Sequence, residues 1–339
     1  MAGTKRGVKI AIDAMGGDYA PEEIVKGAVA AANNGDVELI LVGPLDILEA
    51  ELAKYDVSGL PIRCANADGF LKEEEQPALA VRRKPNSSIA VATKMVRARE
   101  ADGLLGATAT GALVTSAMQY LGMIDGIERP VIGGILSGVA PNTAIFDLGV
   151  NMDCRPQHLL NFAIIGTVYA RIFLGIPNPT VALLNVGKEE GKGNLLVREA
   201  YPLLKRSGLN FIGNVEGDAV LSGQANVIVC DAFVGNCVFK VCESGGNIVG
   251  NYLKSKAKKY PVIGGFLRGK VRNLTASLAL PESVGGGLIW GVDGVVLKMH
   301  GHSRAQDVTR TLSQAKLLVE NDVVGCLKAE LSKIRKHIK

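Results

Sequence analysis

The strongest constraint on this chain is an alternation that runs almost its whole length. Short apolar runs are each followed by a longer amphipathic stretch. Val8 to Asp13 reads as a strand buried on both faces, and the stretch from Pro21 to about Asn33 reads as a helix. Pro21 suits a first helical turn, Glu22 and Glu23 suit its positive end, and Asn34-Gly35 stops it. Val37 to Val42 is a second strand, a helix follows from Pro44, and Pro61 to Ala65 is strand-like. Further on, Ser87 or Ser88 is placed to cap a helix to Glu100. Gly103 to Leu105 predicts a strand, Thr110 to Leu121 a helix, and Val131 to Leu136 and Thr143 to Leu148 strands. Gln157 to Leu174 predicts a long helix, with Thr180 to Val186, Asn210 to Gly213, Asn226 to Asp231 and Val295 to Met299 as later strands. From Ser303 the chain is largely helical, and the loop from about Asp68 to Pro85 is expected to be irregular.

Strands alternating with helices imply a mainly parallel sheet covered by helices on both faces, a three-layer α/β/α Rossmann-like architecture. The 339 residues are read as one α/β unit, with an insertion at about 254–274. Hydrophobic residues make up 47% and aromatics only 5%, so the core must be built from Val, Ile, Leu and Ala. No apolar run is long enough to span a bilayer, and Asp13 interrupts the N-terminal apolar run, so no signal peptide is expected. Six cysteines without a CxxC pair, and only four histidines, argue for reduced thiols and against a metal cage.

In parallel sheets ligands bind beyond the C-terminal ends of the strands. Several predicted strands end there in Asp, Asn or Gly. Asp13-Ala14-Met15-Gly16-Gly17-Asp18 opens from a strand into a glycine turn and a helix, where amides can hold an anion. Thr108, Thr110 and Gly111 lie in the small-residue turn before another helix. Asp147 to Asp153 sets two carboxylates and Asn151 after a strand. Asn185 to Asn194 carries Lys188, Lys192 and three glycines, Gly193 among them. Asp231, Gly235 and Asn236 sit where a strand passes into a helix, and His300 and His302 follow the late strand. Together these describe an anion-binding crevice without a Ser-His-Asp order.

The net charge of +5 is local. Seven basic residues and no acidic one lie between Glu243 and Glu282; without them 31 basic residues face 33 acidic ones. Within that stretch Val262, Ile263, Phe266 and Leu267 are flanked by Lys and Arg, the composition of a membrane-surface element. A second basic region, with Arg82, Arg83, Lys84 and Arg97, lies between Glu75 and Glu100 and suits an acidic protein partner.

The motifs IAIDAMGGDYAP, RRKPNSS, IERP, DLGVNMDCRPQHLLNFAIIGTVYA, ALLNVGKEEGKGN, NFIGNVEG, CDAFVGN and KMHGHS, spread from Ile10 to about Gln314, together resemble the PlsX family. That resemblance implies a fold related to phosphotransacetylases and the isocitrate dehydrogenase group, and a homodimer. It implies transfer of an acyl chain from acyl carrier protein to inorganic phosphate, with no cofactor. It implies a cytoplasmic protein in peripheral contact with an anionic membrane, docking acyl carrier protein and no nucleic acid. It also implies a functional link to the acyl-phosphate:glycerol-3-phosphate acyltransferase.

Three segments depart from the family's usual pattern: GATATGAL, with Ala109 where an Asn is usual, Asp231-Ala232-Phe233, and His300-Gly301-His302-Ser303. Lys192 and Asn236 are the expected contacts to phosphate or oxyanion, with Asn185, Asn194, Thr110 and the Gly16-Gly17 amides in support. Asp13, Asp147 and Asp231 are expected to orient donors, because carboxylates repel phosphate, and His300 to protonate the leaving thiolate. Competing readings are a phosphotransacetylase using coenzyme A thioesters, a nicotinamide-dependent dehydrogenase, and a non-catalytic membrane-surface or nucleic-acid binder.

Overall fold

The computed structural model describes residues 7–35, 37–71, 75–136, 140–259 and 286–338. In chain order the first stretch forms β1 (Val8–Asp13), α1 (Glu22–Ala32), β2 (Val37–Gly43), α2 (Leu45–Leu52), β3 (Ile62–Asn66), α3 (Pro77–Arg83), α4 (Ser88–Arg97), β4 (Gly103–Gly106) and α5 (Thr110–Tyr120). The middle forms β5 (Val131–Ile135), β6 (Ala144–Phe146), α6 (Pro156–Phe173), β7 (Val181–Leu184), α7 (Leu195–Arg206), β8 (Phe211–Val215), α8 (Ala219–Ser222), β9 (Val227–Val229) and α9 (Ala232–Lys259). The chain closes with β10 (Gly287–Trp290), β11 (Val295–Lys298), α10 (Ala305–Glu320) and α11 (Val323–Ile338).

By internal contacts the chain divides into two compact units, one of Met1–Pro130 with Ser283–Cys326, the other of Val131–Glu282 with Leu327–Lys339. In the first unit the strand order is β3-β2-β1-β4-β11-β10. All its pairs are parallel except β10 with β11. Ile10, Ile12, Leu39, Ile40, Leu41, Leu104 and Leu105 are fully buried, as strands covered on both faces require. α1 buries Ile24, Val25, Ala28, Val29 and Ala32, the stripe its 3.6-residue period predicts.

The second unit orders its strands β5-β6-β9-β7-β8, parallel except for β5 with β6. α6 packs against this sheet and is buried along nearly its whole length, from His158 to Ala170. A helix buried on every face is central to its unit, and each large apolar side chain buried there contributes roughly 1.5–3 kcal/mol. Tyr169 bridges Phe146 and Phe173, with ring centroids 5.7 and 5.0 Å away.

Two local expectations are corrected and two details are added. The 68–85 loop contains the helix α3, started by Pro77 at its first turn. Ser87 stands at the N-cap of α4, yet its hydroxyl makes no capping bond and is buried without a partner among the described residues. β10 carries no strand expectation from the sequence. The C-terminal helical stretch is broken at Asp322, whose φ of 45° interrupts it between α10 and α11.

Candidate active site

The parallel strands of the second unit end together. Phe146 of β6, Val229 of β9 and Leu183 of β7 are register partners, so Asp147, Cys230 and Leu184 share one edge, each strand about 4.8 Å from the next. At this edge Asp147 is wholly buried. Its Oδ1 accepts the amides of Gly149 and Val150, both at 3.0 Å; its Oδ2 accepts the Asn151 amide at 2.9 Å and the Asn151 side-chain Nδ2 at 2.6 Å. Burial pushes its carboxyl above the ordinary range, and these four donors pull it part of the way back.

α9 starts beside this loop. Asp231 Oδ1 accepts the Val234 amide at 2.9 Å, an N-cap geometry, and the Ala232 amide donates to the Asn151 carbonyl at 2.9 Å. Gly235 lies so close to the Asp147 carbonyl that a Cβ would collide with it. Asn236 is half-buried, and the ideal Cβ position of Gly149 is 3.7 Å from its Oδ1. Among the described residues its carboxamide has no hydrogen-bond partner.

The loop after β7 closes on itself. Asn185 donates from Nδ2 to the Lys192 carbonyl at 3.1 Å, and Asn214 donates to the Glu189 carbonyl at 2.9 Å. Gly193 has φ 95°, and a Cβ there would collide with the Asn185 carboxamide. Asn194 caps α7 by accepting the Val197 amide at 3.0 Å. These bonds hold the backbone and leave Lys192 exposed, with no ion-pair partner among the described residues.

In the first unit Asp13, Gly106 and Lys298 are aligned across β1, β4 and β11. The turns that follow pack together. The Asp18 amide donates to the Gly301 carbonyl at 2.8 Å, and a Cβ on Gly16 would come within 2.7 Å of both Asp13 Oδ2 and the Thr108 amide. Gly17 meets the Gly301 carbonyl in the same way. Asp13 is buried, and its carboxyl is pushed up to about 6 by that burial, against the Ser88 hydroxyl and the Met15 amide, which lower it. Thr110 and Gly111 open α5, whose N-cap position is Ala109 and has no side-chain bond. His300 and His302 stack at 5.4 Å, and Arg304 lies 3.2 Å over the Tyr19 ring.

The residue pattern matches a family model described as fatty acid synthesis protein over residues 8–325. A phosphate acyltransferase of Dictyoglomus turgidum is 41% identical over 332 residues, covering 96% of this chain and 98% of its own. One of Synechocystis is 40% identical, over 93% and 92%. This chain belongs to the PlsX-type phosphate acyltransferase family. The fold agrees: a phosphotransacetylase structure from Streptococcus pyogenes superposes with a TM-score of 0.65 at 19% identity, over 94% of this chain and 95% of that one. The EutD phosphotransacetylase from Staphylococcus aureus gives 0.59 at 16%, over 93% and 94%.

As a phosphate acyltransferase the chain divides its expected site residues into two groups. Asp147, Asn151, Asn185, Lys192, Gly193, Asn194, Asp231, Gly235 and Asn236 follow strands that end along one edge of the second sheet; Asp13, Gly16, Gly17, Thr110, Gly111 and His300 lie at the edge of the first. Cys230, unremarked as a site residue in the sequence, sits beside Asp147 with its Sγ 3.8 Å from the Asp147 carbonyl. Burial pushes its thiol far up, so it is no thiolate nucleophile. Arg155 and His158 likewise carry no site expectation from the sequence: the Arg155 amide donates to His158 Nδ1 at 3.1 Å and closes the start of α6. Of the expected docking residues, Arg82 and Arg83 are exposed at the end of α3. Lys84 is paired with Glu75 at 2.6 Å, and Arg97 donates to the Leu121 carbonyl at 3.4 Å, so both are partly engaged within the chain. Val262, Ile263, Phe266 and Leu267 lie outside the described residues. No helix among the described residues is long and apolar enough to cross a membrane, and none of their His, Cys, Asp or Glu cluster as a metal site.

Proposed function

We propose that the protein transfers the acyl group of an acyl-acyl carrier protein to inorganic phosphate, releasing the free carrier and supplying acyl-phosphate for phospholipid synthesis. The observation that carries this reading is the edge of the second sheet. There an unpaired lysine ammonium on a hydrogen-bonded loop and an unengaged carboxamide one turn into a 28-residue helix accompany a cysteine held as a thiol.

Such a set binds an anion and supplies no covalent nucleophile. A phosphate oxygen attacks the thioester carbonyl carbon directly. The C–O bond forms, the C–S bond breaks, and the proton of monohydrogen phosphate ends on the departing sulfur. Holding the two reactants together lowers the barrier by roughly 7–11 kcal/mol. Lys192 and Asn236 bind the phosphate or the developing oxyanion, each donor worth about 2.7–4 kcal/mol. The exposed Arg82 and Arg83 suit the acidic carrier, whose association is then salt-sensitive.

The test is phosphate-dependent release of free thiol from matched acyl-carrier and acyl-coenzyme A thioesters. The carrier thioester is expected to be consumed faster at equal concentration. Preference for coenzyme A replaces this reading with a phosphotransacetylase. The reading includes a homodimer that meets anionic membranes through the 254–274 segment and feeds the acyl-phosphate:glycerol-3-phosphate acyltransferase. Replacing Phe266 and Leu267 by Asp is expected to abolish sedimentation with anionic vesicles, and unchanged sedimentation removes the membrane contact.

A further inference from the structure

We infer that Asp147, a buried carboxylate with no part in the chemistry above, is the positioning residue that sets the anion-binding end of α9. The inference rests on the proposed binding of phosphate by Asn236, and deepens it.

Asp147 leaves β6 and at once accepts four N–H groups, from Gly149, Val150 and Asn151 twice. An ionised carboxylate offers about four lone-pair sites; a carboxamide offers two and presents an NH₂ to the remaining donors. The carboxylate therefore dictates the path of residues 148–151. That path is the surface on which α9 begins. The Asn151 carbonyl receives the Ala232 amide at 2.9 Å, the Asp147 carbonyl lies against Gly235, and Gly149 lies against Asn236. Three contacts from one short loop thus locate the first turn of the helix. No side chain larger than hydrogen fits at 235 without moving it. Because the Asp147 charge is buried and its oxygens are occupied, it organises the site without offering a free carboxylate to the anion.

The experiment compares Asp147→Asn and Asn151→Ala with the wild type. Asn151→Ala removes the Nδ2 donor to Asp147 and keeps the backbone amide and carbonyl contacts, so it is the milder of the two variants. For each, the KM for phosphate, the KM for acyl thioester and the melting temperature are measured. Direct binding of inorganic phosphate is measured by calorimetry without thioester.

Displacement of a catalytic group by about 1 Å can cost up to roughly a hundredfold. The phosphate KM and dissociation constant are expected to rise at least several-fold in Asn151→Ala, and further in Asp147→Asn, with the thioester KM unchanged. An unchanged phosphate constant in the folded variants overturns the inference, as does an equal rise in both KM values. A wild type that binds phosphate but transfers no acyl group sinks the proposed reaction instead, and leaves the calorimetric arm to judge Asp147.

Discussion

Asp13→Asn isolates one buried charge. Asp13 ends β1 with 1% of its surface exposed, and its carboxyl is pushed from the ordinary 3.8 to about 6. A raised value in the folded state means that the native protein holds this proton more tightly than the unfolded chain. The stabilising contribution is complete below the unfolded value and is lost as pH rises through the folded one. The rise from 3.8 to about 6 corresponds to about 3 kcal/mol, lost between about pH 4 and about pH 6. Asn is neutral at every pH and nearly the same size, so it escapes this loss. It exchanges the Met15 hydrogen bond, at 3.3 Å a weak one, for an amide contact worth about 1 kcal/mol at most. The variant is therefore expected to gain about 2–3 kcal/mol on the wild type between about pH 4 and about pH 7. Urea unfolding of both proteins across that range measures the difference, and the carbon-13 resonance of the Asp13 carboxyl locates its midpoint directly. Parallel stability curves, or a carboxyl midpoint near 4, would show that burial does not hold this proton and would refute the reasoning.

Three further outcomes are expected. Lys192→Ala lowers turnover at least about tenfold while circular dichroism stays native, since Lys192 packs against little; wild-type turnover removes it from the mechanism. Asn194→Ala costs about 1 kcal/mol by uncapping α7, read as a lower denaturant midpoint. Gly193→Ala forces a side chain into a left-handed backbone and the Asn185 carboxamide. It is expected to cost roughly 1–2 kcal/mol and to weaken phosphate binding, both measurable on the purified variant.

Much of the fold was legible because burial on two faces leaves an unmistakable pattern. β1 runs from Val8 to Asp13 as its apolar run implies, and α5 starts at Thr110, where small residues give way to a helical period. Elements carried by tertiary contact were not legible. β10 is four residues, GLIW, too short to show a period, and it exists because it pairs with β11. The antiparallel pairing of β5 with β6 is likewise invisible, since both strands read as buried apolar runs whichever way they point. In the site, residue types at strand ends announced an anion, whereas the engagement of Lys84 by Glu75 and of Asp147 by its four donors had no sequence signature.

By itself the sequence determined the α/β class, the family, and the strand ends that carry polar residues. Those properties are local, written in hydrophobic period and in glycine and Asx turns that act over a few residues. Only the tertiary structure decided which strand ends share an edge, because strand order is set by crossover connections between residues far apart in the chain. It also decided which carboxylates are spent on backbone amides and which cysteine is buried into silence. Protonation and hydrogen-bond occupancy depend on what surrounds a group in space, and no spacing along the chain records that.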